Sequence, residues 1–398
     1  MSAPIRILEL RSARGSGGGP DKTILAGAAA SDPSRYAVTV CYLRDGRDET
    51  FSIGTHAAAM KIDFTAVPER HSFDWAVWPA LRRLVVERGI DIVHSHDYKT
   101  DLLALLLAWR TGAIPLATVH NWCGLTARER LLYYPADKYL LRAFPLVIAV
   151  SRQIREELER CRVRPERILT LLNGVDVVKF RRDSAMAASA RAELGVAPEH
   201  VVIGAVGRLE SEKRYDVLID AVAALRNRCP LLRLALVGEG SWRPRLEALV
   251  AQHGLQKRCT LLGYRRDVVR ISQAFDLFIQ SSDDEGTSNA LLEAMALEIP
   301  IVATDVGGTS ELITSDVHAL LVRPGDVSAL ASAVEQTVAH PASTRARVRA
   351  ARERVEGPLS FAARNQALEA IYERLIASCA SAYRTRAGDE VGLACAKH

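Results

Sequence analysis

Short apolar runs of strand length recur along this chain, separated by longer segments in which apolar residues return at helical spacing. The first series is Ile5 to Leu10, Ala37 to Leu43, Ile90 to His94, Pro115 to Val119 and Leu146 to Val150. A second opens at Val201 to Val206 and continues with Leu232 to Val237, Cys259 to Leu262, Asp276 to Ile279, Ile301 to Ala303 and Ala319 to Val322. Strands that alternate with helices predict parallel sheets covered on both faces. Two series of Rossmann-like size predict two α/β domains, 1–182 and 183–359, with the polar, Arg-rich stretch 178–191 as the linker. Phe361, Leu368, Ile371, Tyr372 and Leu375 predict a C-terminal helix over 360–380. The polar, glycine-containing residues 384–398 read as a disordered tail.

Composition narrows this picture only slightly. A chain of 398 residues, 48% hydrophobic and 25% charged, is ordinary globular material for two domains or three. The net charge of +5 is mild and does not point to nucleic acid as a partner. The basic excess is local: thirteen Lys and Arg stand against seven Asp and Glu between His120 and Arg182. Seven scattered cysteines (Cys41, Cys123, Cys161, Cys229, Cys259, Cys379, Cys395) form no C-x-x-C pair, which predicts a reducing, cytoplasmic setting without a zinc site. The N-terminus runs directly into a strand, so no signal peptide is expected. The most apolar segment, Leu102 to Trp109, is too short to span a bilayer.

The candidate chemistry gathers at loops that follow strands. Asp284 to Ala296 reads as a loop turning into a helix, with a tight turn at Gly286, a cap at Thr287 or Ser288, and Leu291, Leu292 and Met295 at helical spacing. Glu285 then lies on the loop and Glu293 on the helix, while the amides of Thr287, Ser288 and Asn289 form an anion site. Such carboxylates accept paired hydroxyls from a sugar or ribose. Asp283 and Asp284 read as a loop feature; no D-x-D follows a strand, so metal ligands are not expected. After Val206, Arg208 offers a planar fork and Lys213 a point charge, suited to a diphosphate. Gly15 to Pro20 forms a glycine-rich turn before a helix expected from Asp21 or Lys22, but Pro20 occupies the last glycine of a dinucleotide fingerprint. His94-Ser95-His96-Asp97-Tyr98-Lys99 and His120-Asn121-Trp122 stand at strand ends, where open α/β sheets bind ligands. The stretch 126–144 is predicted helical, basic and aromatic; it suits a solvated face or an anionic membrane surface.

Taken in order, these segments resemble the retaining glycosyltransferases of the GT-B fold, family 4 (group 1) type. Glu285-x7-Glu293 resembles the paired-glutamate motif, and Gly207-Arg208-Leu209 with Lys213 the "GRL-x-x-x-K" phosphate motif. Asn173-Gly174-Val175-Asp176 resembles the "NGVD" signature, Gly307 to Glu311 the "GG-x-x-E" turn, and Leu236 to Gly240 a strand-end turn of the family. The likeness covers nearly the whole chain. It departs where the family often has Phe-Gly and this chain has Thr287-Ser288-Asn289, which bears on sugar preference.

The resemblance implies an α/β GT-B architecture, two Rossmann-like domains facing a central cleft, with the helix 360–380 completing the first. It implies metal-independent, cofactor-free transfer of a hexose from a nucleotide diphosphate sugar, a UDP-sugar favoured and a GDP-sugar open, to a glycan or lipid-linked acceptor. Such an enzyme would act in the cytoplasm or at the inner face of the membrane, in surface polysaccharide or glycolipid assembly. His120 and Glu285 would be catalytic, and Gly18, Gly19, Arg208, Lys213, Thr287, Ser288 and Asn289 would hold the donor diphosphate. Glu293 would hold the ribose, Tyr264, Arg265 and Val268 would edge the base, and His96, Asp97 and Tyr98 would face the acceptor. The rival readings are a sugar-nucleotide epimerase of the same fold and a non-catalytic nucleotide-sugar binder.

Overall fold

The computed structural model describes residues 3–15, 17–71, 74–122 and 128–395, with side chains through residue 378. It divides into two compact units: Met1–Val150 with Ile154–Leu171 and Arg364–His398, and Ser151–Gln153 with Leu172–Ala363.

The first unit is built on seven parallel strands: β1 (Ile5–Ser12), β2 (Tyr36–Asp45), β3 (Phe64–Glu69), β4 (Ile92–Ser95), β5 (Ile114–Val119), β6 (Leu146–Ala149) and β7 (Ile168–Thr170), in the order β3-β2-β1-β4-β5-β6-β7. The two edge strands, β3 and β7, were not among the expected runs. β3 is only half-buried and carries Pro68, which an edge tolerates because one side of its ladder is unpaired; β7 is three residues long. Alternate residues of the central strands go to opposite faces. Leu8, Leu10, Val93 and Ala117 pack with Leu103, Ala104 and Leu107 of the helix Tyr98–Thr111. Ile7, Ile92, Leu116 and Ile148 pack on the other face with Leu368, Ile371, Tyr372 and Leu375. Each such side chain contributes about 1.5–3 kcal/mol by leaving water. The C-terminal helix Phe361–Cys395 thereby covers one side of the first sheet. It continues through residues expected to be a disordered tail, since no proline follows Pro358 to stop it.

The second unit has six parallel strands: β8 (Val201–Val206), β9 (Leu232–Val237), β10 (Cys259–Leu261), β11 (Leu277–Gln280), β12 (Ile301–Thr304) and β13 (Leu320–Val322), in the order β10-β9-β8-β11-β12-β13. All six correspond to expected runs; the four central ones are buried almost throughout, which makes their apolar pattern unbroken, while the edge strands β10 and β13 are short and only partly buried. The stretch expected to be a linker instead contains the helix Ser184–Glu193 of this unit, capped by Asp183 accepting from the Met186 amide at 2.9 Å. Arg191 ties that helix to Asp276 at 2.8 Å. In each sheet the strand order reverses beside the first strand, between β1 and β4 and between β8 and β11. At such a reversal the connections diverge and leave a crevice at the carboxyl ends of the strands.

Candidate functional site

In the second unit, β8 and β11 pair directly, Ile203 with Leu277 and Gly204 with Phe278, so the loops leaving them start side by side. The β8 loop carries Arg208 and a single 3-10 turn, Ser211–Lys213. The β11 loop carries Ser281 to Thr287 and then enters the helix Asn289–Ala296. Lys213 Nζ reaches Glu285 Oε1 at 2.5 Å, and Ser282 Oγ donates to the same oxygen at 2.7 Å. Ser281 Oγ donates to the Lys213 carbonyl at 2.8 Å, and the Asp283 amide to the Glu212 carbonyl at 2.9 Å. Arg214 adds an ion pair to Asp283 at 2.8 Å. Arg208 is half-exposed and rests on Glu212 at 2.7 Å. The two cations nearest the crevice therefore each hold a carboxylate that an arriving dianion would displace. Glu285 and Glu212 also help keep the buried Tyr215 hydroxyl protonated, after burial itself, by raising its pKa.

Two neighbouring turns press on these loops. The Gly308 amide donates to the Glu285 carbonyl at 2.9 Å. A Cβ at Gly307 would stand 1.9 Å from that carbonyl oxygen, and one at Gly308 would stand 2.0 Å from the Gly286 oxygen. Gly238, at φ +143°, lies equally close to the Gly207 carbonyl. The glycines of both turns are thus what lets the paired loops be clamped from either side. Ser288 is the helix cap, its Oγ accepting from the Leu291 amide, and the Thr287 carbonyl accepts from Asn173 Nδ2 at 3.2 Å. Ser288 is buried at the cap of this helix and Glu293 in its second turn. Tyr264 is half-exposed. Arg265 is engaged by Asp267 and Glu193, both at 2.8 Å, and Val268 opens a short helix packed on the core.

In the first unit, strand register sets Glu9 beside His94. His94 Nδ1 lies 3.3 Å from Glu9 and 2.9 Å from the Tyr372 hydroxyl, and its Nε2 lies 2.7 Å from Thr118 Oγ1. His96 Nε2 meets Glu9 Oε2 at 2.5 Å, and its Nδ1 meets His120 Nε2 at 3.2 Å. Tyr372 donates to Glu9 Oε1 at 2.7 Å. Burial, then the neighbouring His94, pushes His96 down to about 4; burial, then His96, holds His120 well below the usual imidazole range. Both rings are neutral at pH 7. Glu9, His94 and His96 are also the group among the described residues with metal-ligand chemistry. Ligand atoms of a tetrahedral ion with bonds of about 2.1 Å stand roughly 3.4 Å apart. The 2.5 Å Glu9–His96 contact is a hydrogen bond, so the cluster as it stands is bridged by protons.

The other expected residues of this unit take local roles as well. The first helix starts at Gly19, two residues before Asp21, because Pro20 fits its first turn; Asp21 accepts from the Gly18 amide at 2.6 Å and pairs with Arg11 at 2.8 Å. Asp97 caps the helix Tyr98–Thr111 and accepts from the Ser12 amide at 2.7 Å. Tyr98 stacks on Tyr133 with centroids 5.4 Å apart. The stretch expected to be helical over 126–144 is helical wherever it is described, from 128 to 143. Thr126 and Cys123 lie outside the described residues; the rest passes without a break from the π-helical turn Glu129–Tyr133 to the α-helix Tyr134–Leu140, with Pro135 in its first turn, and the 3-10 turn Leu141–Ala143. Leu131, Leu132 and Tyr139 there are exposed. Sequence reasoning passed over Glu9, Thr118, Tyr372 and Ser282. Glu9 had a signal, as a lone acid between Leu8 and Leu10 in an apolar strand.

Comparison with known proteins fits this geometry. Residues 18–179 match the family model "Glycosyltransferase Family 4", and residues 200–340 match "Glycosyl transferases group 1". EpsD of Bacillus subtilis (strain 168), named as a glycosyltransferase, is 31% identical over 285 residues, covering 68% of this chain and 74% of EpsD. A UDP-Gal:alpha-D-GlcNAc-diphosphoundecaprenol alpha-1,3-galactosyltransferase of Escherichia coli is 26% identical, covering 64% of this chain and 68% of that one. Across the curated relatives the aligned stretch spans between 53% and 74% of their own length. The fold is similar to that of HepE from Anabaena, solved with UDP-glucose: TM-score 0.80 at 20% identity, over 95% of this chain and all of HepE.

Proposed function

The chain belongs to the family 4, group 1 glycosyltransferases and has their GT-B fold, and from that premise we propose that it transfers a hexose from a UDP-sugar, with retention, to a glycan or lipid-linked acceptor. The observation that carries this reading is the Lys213–Glu285 contact in the β8/β11 crevice, with Arg208 beside it. Breaking the sugar–phosphate bond develops charge on the departing diphosphate, and electrostatic stabilisation of that charge is where rate is gained. In this reading Arg208 and Lys213 exchange their carboxylate partners for the diphosphate, and the helix start at Ser288 and Asn289 adds backbone donors. These cations supply the charge that a metal ion supplies in other transferases. Glu285, released from Lys213, accepts hydroxyls of the donor sugar, and Glu293 accepts those of the ribose. The acceptor oxygen bonds to the anomeric carbon on the face the diphosphate leaves, while the acceptor proton passes to the departing phosphate oxygen. His120 serves a sugar hydroxyl.

The UDP preference is supported by the UDP donor in the name of the E. coli relative and by UDP-glucose in the HepE structure. A lipid-linked acceptor is supported by the same relative's name. Exposed Leu131, Leu132 and Tyr139, set among Arg128, Arg130, Lys138 and Arg142, support a surface that rests on an anionic membrane. Among the described residues no helix is long and apolar enough to cross one. Titration of UDP into the wild-type chain and into Arg208→Ala tests the reading. Micromolar binding weakened at least tenfold by the substitution is expected; equal binding by both overturns it.

A further inference from the structure

The hydrogen bonds around Glu9 admit one consistent set of proton positions. Glu9 is nine-tenths buried and takes donors from three sides: Tyr372 on Oε1, His96 on Oε2, and His94 close to both. Glu9 is the acceptor in these contacts: burial raises its pKa, but its interactions with His94 and His96, including the hydrogen bonds they donate, outweigh that and hold it well below the usual range. His96 must therefore carry its proton on Nε2 to donate to Glu9, which leaves Nδ1 as an acceptor. The contact from His96 Nδ1 to His120 Nε2 at 3.2 Å then requires the proton on His120 Nε2. His94 fits the same scheme, donating from Nδ1 toward Tyr372 and Glu9 and accepting at Nε2 from Thr118. The remaining nitrogen, His120 Nδ1, has no partner among the described residues, on a ring only partly buried at the end of β5. The other charged or titratable groups around the chain of rings are Arg11, Asp97 and Arg364.

We propose that Glu9 is a positioning residue: acting through His96, it fixes His120 in the tautomer whose bare Nδ1 accepts a hydrogen bond from a hydroxyl of the sugar. This rests on the glycosyltransferase reading above, in which His120 serves a sugar hydroxyl. It assigns the direction of that hydrogen bond and the residue that sets it. Reversal of the relay would turn His120 Nδ1 into a donor, able to bind a sugar oxygen but unable to draw density from a hydroxyl. The two buried links would do for His120 what a buried acid does for the histidine of a hydrolase triad, where the wrong tautomer is strongly inactivating.

The test is nitrogen-15 NMR of the imidazoles in the full chain, with His96 and His120 assigned from His96→Gln and His120→Gln spectra. In the wild type both rings are expected as neutral Nε2–H tautomers at pH 7. Finding His120 with its proton on Nδ1 overturns the proposal. In Glu9→Gln the His120 signal is expected to move toward the Nδ1–H form, with transfer falling about tenfold or more and UDP affinity unchanged. A folded Glu9→Gln chain whose His120 spectrum is unaltered also overturns it. If that variant does not fold, the wild-type spectrum decides alone. UDP titrated into the same wild-type sample separates the two claims. UDP binding with the wrong tautomer sinks the relay alone; the right tautomer without UDP binding leaves the relay of protons standing and sinks the UDP-sugar reading.

Discussion

Gly308→Ala isolates the clamp on the Glu285 loop from every other property of the chain. Gly308 has φ −73°, which alanine adopts freely, so the substitution introduces no backbone strain. Alanine would even add about 0.4–1 kcal/mol by restricting the unfolded chain. The new Cβ would stand 2.0 Å from the Gly286 carbonyl oxygen, where contact requires roughly 3.2 Å, so loop and turn must part by about 1 Å. That movement lengthens the 2.9 Å bond from the Gly308 amide to the Glu285 carbonyl and carries Glu285 away from Lys213 and Ser282. A displacement of about 1 Å at a reacting group costs about 100-fold in rate, or near 3 kcal/mol of barrier. The net stability change should be small, about 1–2 kcal/mol, since one loop contact is lost and some unfolded-state entropy is removed. The assay is UDP release from UDP-glucose and UDP-galactose, with circular dichroism melts run in parallel. A Gly308→Ala protein that turns over at the wild-type rate would refute the claim that this turn positions Glu285.

Three further outcomes are expected. Lys213→Ala leaves Glu285 without its cation, costing about 1–3 kcal/mol in denaturant unfolding because both side chains keep some exposure; adding Glu285→Gln should restore stability without restoring UDP affinity. His96 is held down to about 4 against an ordinary value near 6.5, so the unfolded chain takes up its proton first as pH falls. Stability present above pH 6.5 is therefore lost toward pH 4, by about 2 kcal/mol at pH 5, and urea unfolding of His96→Gln should lack that part of the slope. Replacing both Leu131 and Leu132 with serine removes two exposed apolar anchors worth about 1.5–3 kcal/mol each. Sedimentation with phosphatidylglycerol vesicles should show binding reduced at least tenfold, while UDP affinity stays as in the wild type.

Much of this architecture is legible in the one-dimensional pattern, and the reasons lie in burial. Strands covered on both faces, such as Val201–Val206 and Leu232–Val237, are unbroken apolar runs whose ends read directly from the sequence. Edge strands such as Phe64–Glu69 bury little and mix with polar residues, so their pattern merges with loops. Arg208, Lys213, Glu285 and Glu293 stand out because charge beside glycine at strand ends is unusual. What the sequence does not display is pairing across distance. Lys213 and Glu285 are separated by 72 positions, and nothing local indicates that one holds the other. The same is true of Glu9 and Tyr372, separated by 363 positions and brought together by strand register and the C-terminal helix. The helical stretch after His120 is legible from its pattern, but the change from a π turn to an α-helix at Pro135, which has no amide to donate, is not.

The central claim is that the crevice between β8 and β11 grips the diphosphate of a sugar donor. A crystal structure of the chain with UDP-glucose measures this directly. The account predicts diphosphate oxygens within about 3 Å of the Arg208 guanidinium and Lys213 Nζ, with Glu285 turned from Lys213 to the sugar hydroxyls. A diphosphate bound elsewhere, with the Lys213–Glu285 pair intact, would contradict it.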